Sequence, residues 1–174
     1  IGEFEKASMK GNFSIAFFIL VMFAGALSPR WKVTKKLLSI RAEAAILGTI
    51  LIIPYGVMYS VRFIVKLLNN KPITTLYVVY LIIGLIAFII MIPLFITSLK
   101  KVRSKMKYVK WKRLQKWAYP FYVLIYIHIV LSIFNDDELD IIKLSIYTIV
   151  FVSYFILKLI KTSNEKKKKS IINL

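Results

Sequence analysis

Five long apolar runs constrain the fold of this chain more than any other feature of its sequence. They cover residues 13–28, 44–65, 76–97, 117–134 and 141–160. A helix needs about 17–25 apolar residues to cross a hydrocarbon core roughly 30 Å thick, and in lipid only helices and closed barrels satisfy their own backbone. We therefore predict an all-α integral membrane protein, a bundle of five transmembrane helices that forms one domain over residues 9–161.

Composition supports this class, because 59% of the residues are hydrophobic whereas soluble domains have about 45–50% apolar residues. We expect the polar residues 1–8 to be a cloning remnant, with the native start at Met9. The first apolar run also has features of a signal peptide, since Lys10 precedes it and small residues lie near its end. We favour a retained helix. Residues 162–174 are predicted to form a basic cytoplasmic tail.

The distribution of positive charge predicts the orientation of the bundle. Of the 26 Lys and Arg residues, five lie in segment 29–43, nine in 98–116 and six in 158–169, whereas the connection 135–140 is acidic. Positive charge stays on the cytoplasmic side, and interfacial tryptophans such as Trp31, Trp111 and Trp117 lie at headgroup level. We predict an outer N-terminus and a cytoplasmic C-terminus in a multi-pass protein of the cell membrane, most simply the bacterial cytoplasmic membrane.

Several function classes have no machinery in this sequence. The chain has no cysteine, which excludes disulfides, thiolate metal sites and a cysteine nucleophile. We found no Gly-rich phosphate loop, no paired carboxylates and no Ser-His-Asp arrangement, and we predict no catalytic residue. The basic residues lie between apolar runs, so no nucleic-acid partner is expected. A transporter or channel is disfavoured because the predicted spans offer few polar groups.

One histidine and one tyrosine are the candidates for chemistry inside the membrane. His128 lies eleven positions after Trp117 in the fourth helix, and Tyr55 lies eleven positions after Ala44 in the second. Because both helices run outward with a rise of 1.5 Å per residue, the two side chains are expected at one level. An ionisable group at this depth either has a function or forms a hydrogen bond to a neighbouring helix. Pro54 and Gly56 beside Tyr55 suit a flat ligand or a tight helix crossing.

A second candidate surface is the basic stretch 100–116, in which aromatic residues are interleaved. Such a stretch binds anionic lipid headgroups, or the carboxylate and phosphate groups of a cofactor. Its candidate cofactor contacts are Trp111 and Arg113. Arg41 and Glu43 either form an ion pair at the membrane edge or contribute to this surface.

Two segments carry a resemblance to a known family. Residues 92–134, with ITSLKKVR, WKRLQKWAY and YIHI, resemble the ferric-reductase-like transmembrane family, and residues 41–63 resemble its preceding haem helix. The likeness is to the branch that contains the haem-bearing membrane subunit of the periplasmic methionine sulfoxide reductase system. The resemblance implies b-type haem held between histidines, two of them thirteen positions apart on the later helix. His128 matches the outer position, whereas Gln115 and Tyr55 stand where histidines would be expected.

These departures leave several expectations open. One haem b, with iron bound by His128 and Tyr55, is conceivable because tyrosine ligates haem in catalase. Alternatively the haem is lost and the two side chains form a hydrogen bond, the ligands are shared across a homo-oligomer, or the site takes flavin or quinone. The predicted function is a membrane electron-transfer subunit with a redox partner protein. The alternative is a cofactor-free scaffold that binds a partner protein or anionic membrane lipid through its basic inner face.

Overall fold

The computed structural model describes residues 11–70, 72–135 and 139–172, and the side chains as far as residue 167. Within these ranges the regular elements are helices. In chain order they are α1 (Asn12–Ala26), α2 (Lys32–Ser39), α3 (Arg41–Leu68), α4 (Thr75–Ser98), α5 (Lys100–Arg103), α6 (Tyr108–Gln115), α7 (Ala118–Phe134) and α8 (Ile141–Ile172). The all-α prediction is confirmed for this part of the chain.

Four helical segments are long and apolar enough to cross a membrane, so the chain is a multi-pass membrane protein. They are Arg41–Leu68, Thr75–Ser98, Tyr108–Phe134 and Ile141–Lys167. The first apolar helix, α1, has 15 residues and rises about 22 Å, less than the hydrocarbon thickness of roughly 30 Å. The count of five spans and the orientation therefore stay predictions.

Most helix ends lie close to the predicted boundaries, with two exceptions. The second predicted helix, 44–65, extends to Arg41 and Leu68 in α3. The backbone of α8 continues to Ile172, past the boundary expected between the last span and a basic tail. Lys and Glu are good helix formers, so a loss of hydropathy does not end the helix. The expected cloning remnant, residues 1–8, lies outside the described residues.

Contacts between helix ends define two ends of the bundle. The Ser14 hydroxyl of α1 donates to the Gly48 carbonyl of α3 at 2.7 Å, whereas Lys161 of α8 contacts the carbonyl of Gly25 at the other end of α1. The helices α1 and α3 run antiparallel, and so do α4 and α7. One end therefore carries the connections 27–40 and 99–117, and we call it the basic end. The opposite end carries the end of α3, the start of α4, the end of α7 and the start of α8.

The helices form two tightly packed pairs, α1 with α3 and α4 with α7. Toward the basic end the pairs share a core that includes Phe18, Met91 and Phe121. Phe18 meets Phe121 edge to face, with ring centroids 5.2 Å apart. Toward the opposite end both pairs contribute residues to the wall of the cavity described below.

Close approach of α1 and α3 depends on Gly48. A Cβ added there would lie 3.2 Å from Phe17 Cβ and 3.3 Å from Phe18 Cε1. Small residues permit such helix crossings in membranes. We expect Gly48→Leu to force the pair apart and to lower the free energy of unfolding by about 1–3 kcal/mol, measured by denaturation in detergent. The control is Gly56→Ala, where an added Cβ meets nothing closer than 3.8 Å. Equal stability of Gly48→Leu and the control would refute this role of Gly48.

Candidate functional site

An apolar cavity of about 450 Å³, which we call the large cavity, lies between α1, α3, α4, α7 and α8. Its volume is within the range of about 300–1,000 Å³ found for ligand pockets. Aliphatic and aromatic side chains dominate its wall, and Lys143 of α8 adds one positive charge. The polar and aromatic residues of the wall include Tyr55, Tyr59, Tyr80, His128, Ser132 and Tyr147. The cavity therefore has the character of a small-molecule site with few polar groups.

The imidazole of His128 is held by α4. Its Nδ1 lies 2.9 Å from the backbone carbonyl oxygen of Tyr80. A carbonyl oxygen only accepts, so Nδ1 carries the proton and donates it to this bond. In the neutral ring Nε2 then has a free lone pair. The ring also stacks on that of Tyr80, with centroids 5.0 Å apart.

Gly84 provides the space that the imidazole occupies. A Cβ added at Gly84 would lie 2.6 Å from His128 Cε1 and 2.8 Å from its Nδ1. Real side-chain carbons do not approach so closely, so any other residue at position 84 would displace the ring. One turn of α4, from Tyr80 to Gly84, thus fixes both the position and the tautomer of His128.

Tyr55 and His128 line the same cavity. Two further tyrosine rings lie between them. The ring centroids of Tyr55 and Tyr59 are 4.5 Å apart, and those of Tyr59 and Tyr80 are 6.2 Å apart. The Tyr80 ring in turn stacks on His128. Tyr55 also packs beneath the start of α1, where a Cβ added at Gly11 would lie 3.4 Å from the Tyr55 ring. Tyr55 and His128 thus belong to the wall of one cavity. Their role in holding a cofactor stays a prediction.

Sequence reasoning missed Tyr59, Tyr80 and Gly84, although the same depth argument applies to Tyr80. Tyr80 lies five residues after the first residue of α4, and His128 lies six residues before the last residue of α7. Antiparallel neighbours with these offsets have the two residues at one level. The same counting that paired Tyr55 with His128 therefore also places Tyr80 at the level of His128.

Gln115 lies in a different place, toward the basic end. Its Nε2 donates to Thr97 Oγ1 at 3.1 Å, and that hydroxyl in turn donates to the Pro93 carbonyl at 2.7 Å. Trp111 Nε1 donates to the Thr97 carbonyl at 3.3 Å. The cavity beside Gln115 has a volume of only about 30 Å³, the share of one water molecule in the liquid. This region is therefore filled by the protein's own side chains.

The remaining predicted site residues are separated from the large cavity. Arg41 is half-buried and lines the small cavity beside Gln115. Arg113 is exposed on α6. Among the described residues no group of three or more His, Cys, Asp or Glu side chains is arranged to hold a metal ion. The structure thus has His128 and Tyr55 in the wall of one cavity, groups Gln115 with Trp111 on Thr97, and leaves Arg113 on the surface.

Comparison with known proteins gives two matches. Residues 10–126 match the family model for the ferric reductase like transmembrane component, which includes Tyr55 and Gln115 and ends two residues before His128. An uncharacterized protein of Treponema pallidum (strain Nichols) is 28% identical over 161 residues, which cover 90% of this chain and 44% of that protein. The chain thus spans less than half the length of this relative. No solved structure matches.

Proposed function

Because the chain belongs to the ferric-reductase-like transmembrane family, we propose that it is a membrane electron-transfer subunit that holds one b-type haem in the large cavity. The observation that carries this proposal is the state of His128. Its Nδ1 proton is donated to a backbone carbonyl, and its ring lines an apolar cavity of about 450 Å³. Metal-ligating histidines generally donate their other N–H in this way.

The donor set fits one haem. His128 would bind the iron through Nε2, and the phenol of Tyr55 or Tyr59 is a chemically suitable second ligand, as in catalase. The carboxylates of the group would find the positive charge of Lys143 among the lining residues. When bound, the haem would supply one-electron chemistry, and the protein would set its potential through ligands and burial.

The residues of the chain have distinct tasks in this proposal. The Tyr80 carbonyl keeps the proton on Nδ1 and so keeps Nε2 available. Gly84 leaves space for the ring, and the aliphatic part of the wall would surround the haem with apolar side chains. Flavin and quinone remain alternative occupants of the same space, because phenols and an imidazole also hydrogen-bond to their carbonyl groups.

An absorption spectrum of the gently solubilised chain, purified from haem-replete membranes, tests the proposal directly. We expect a Soret band that shifts on reduction, with one haem per chain. Protein that stays colourless after haem is supplied would refute haem binding. Titration of that colourless protein with flavin or a short-chain quinone would then identify the other redox occupant.

A single haem, rather than two, follows from the small volume beside Gln115. We expect Gln115→His to leave the stoichiometry at one haem per chain, because the adjoining cavity has room for about one water. Quantification of extracted haem against protein mass measures this. A second haem in the variant would show that the core around Thr97 opens.

A scaffold without cofactor is the second candidate, and the packing of His128 favours it. The imidazole is stacked on Tyr80 and seated on Gly84, as a structural histidine would be. In that case His128→Ala would leave the activity of the partner system unchanged. Charge reversal at the exposed Lys105, Lys110 and Arg113 would disrupt it, because the partner protein or anionic lipid would bind there.

The proposed orientation places the basic end in the cytoplasm, where we propose that a redox partner protein docks. The chain has no cysteine, so single introduced thiols report position. We expect Leu139→Cys, exposed at the opposite end, to react with a membrane-impermeant maleimide in intact cells. Lys107→Cys, exposed at the basic end, is expected to react only after lysis. The reverse pattern would invert the orientation.

A further inference from the structure

Three cationic side chains converge on the last turn of α1. Lys161 Nζ donates to the carbonyls of Gly25 and Leu27, each at 3.0 Å. Lys158 Nζ lies 3.5 Å from the Gly25 carbonyl, and Arg41 Nη2 lies 3.9 Å from where a Gly25 Cβ would be. We call Arg41, Lys158 and Lys161 the Gly25 cluster. It joins the start of α3 to the later part of α8 across the end of α1.

The positive charge of the Gly25 cluster exceeds what α1 neutralises. The carboxyl end of a helix carries roughly half an elementary negative charge, whereas the cluster carries three positive charges. Within the part of the chain that the structure describes, no ion pair engages these side chains. The acidic residue Glu165 lies one turn further along α8 than Lys161 and is exposed.

Arg41 has the largest unused binding capacity in the Gly25 cluster. Its guanidinium has five N–H donors, and none of the hydrogen bonds among the described residues uses them. The side chain is nevertheless half-buried. A half-buried planar guanidinium with N–H donors to offer is suited to bidentate binding of a phosphate or carboxylate group. Lys158 and Lys161 add two positive charges beside it.

The surroundings of the Gly25 cluster correspond to the level of lipid headgroups. The cluster lies at the basic end, where Trp31 and Trp117 are exposed as interfacial tryptophans are. Lys158 Nζ lies 5.3 Å from the Tyr119 ring. The neighbouring positions of α8, Leu159 and Ile160, are exposed apolar residues that suit contact with acyl chains. Apolar chains beside a phosphate are the chemistry of a phospholipid.

We propose that the Gly25 cluster binds a phosphate group, that of an anionic phospholipid such as phosphatidylglycerol. This site is separate from the large cavity and does not depend on haem. Bound phosphate replaces the missing counter-charge between α1, α3 and α8, and therefore also stabilises the contact of α8 with the rest of the bundle.

The test compares two Arg→Gln variants of the full chain, in neutral detergent, with phosphatidylglycerol added stepwise and phosphatidylcholine as the uncharged reference. Native mass spectrometry counts bound lipid. We expect Arg41→Gln to bind phosphatidylglycerol about tenfold more weakly, whereas Arg62→Gln, which removes the same charge from an exposed position of α3, binds it as the unaltered chain does. Arg41→Lys is expected to restore part of the affinity.

The other outcomes also decide the proposal. Equal weakening in both variants would mean general surface attraction, and no weakening in Arg41→Gln would mean that the cluster binds no lipid phosphate. Either result overturns the site. Inorganic phosphate is the second probe: if it alone raises the midpoint of thermal unfolding through Arg41, the source of the phosphate is free anion rather than lipid. Should Arg41→Gln fail to fold, Lys158→Gln, which loses only a 3.5 Å contact, replaces it.

Discussion

His128→Ala is expected to abolish haem binding. The variant removes the one imidazole of the chain, and substitution of even a hydrogen-bond partner of a metal ligand typically weakens affinity by about 10–100-fold. We therefore expect a loss of about 100-fold or more, which means that the purified variant has no Soret band. The measurement is a haem titration of variant and unaltered chain in the same detergent, followed by absorbance.

Two further observations separate loss of the ligand from loss of the fold. Imidazole added to His128→Ala is expected to restore part of the Soret band, because the truncated side chain leaves space for it beside Gly84. Tyr126→Phe is the control, since it removes a hydroxyl from α7 that hydrogen-bonds Thr148 without lining the cavity. A Soret band that persists unchanged in His128→Ala would remove His128 from the proposed site.

Gly84→Ala has the second large expected effect. An added methyl would lie 2.6 Å from His128 Cε1, so the ring must leave its place and its bond to the Tyr80 carbonyl. Overpacking of this kind costs about 1–3 kcal/mol. We expect the variant to lose that amount of stability and most of its haem affinity, measured by denaturation in detergent and by the Soret titration.

The double variant Gly84→Ala/His128→Ala distinguishes a steric conflict from a general intolerance of α4. Without the imidazole, the three atoms nearest to the added methyl are gone, and alanine is favoured over glycine within a helix by about 0.5–1 kcal/mol. The effect of Gly84→Ala on stability should therefore change sign in the His128→Ala background. Equal destabilisation in both backgrounds would show that Gly84 has another role, such as the approach of a different helix.

Apolar runs predicted most of the helices because a segment in lipid must satisfy its own backbone hydrogen bonds, which a helix does. The lengths were less predictable. Hydropathy identifies only the apolar part of a helix, so α3 begins three residues earlier than expected, at Arg41, and α8 continues beyond residue 160. The 15 residues of α1 form a helix as expected but are short for a span.

Within the site, counting residues predicts the position along a helix but not the rotation about its axis. Counting residues along each helix placed Tyr55 and His128 at one level, and the structure has both around one cavity. The direct neighbours of the imidazole, Tyr80 and Gly84, lie on a helix that the prediction did not include. Gln115, from the same family motif as His128, belongs to a closed region with Thr97.

The sequence by itself therefore determined the class of the protein and most of its helices, because hydrophobicity and a rise of 1.5 Å per residue are local properties. Only the tertiary structure decided which side chains meet. Gly48 permits the close approach of α1 to α3, and Gly84 permits that of the His128 ring to α4. That packing leaves a cavity at one end of the bundle and fills the other, and it gathers Arg41, Lys158 and Lys161 from distant parts of the chain.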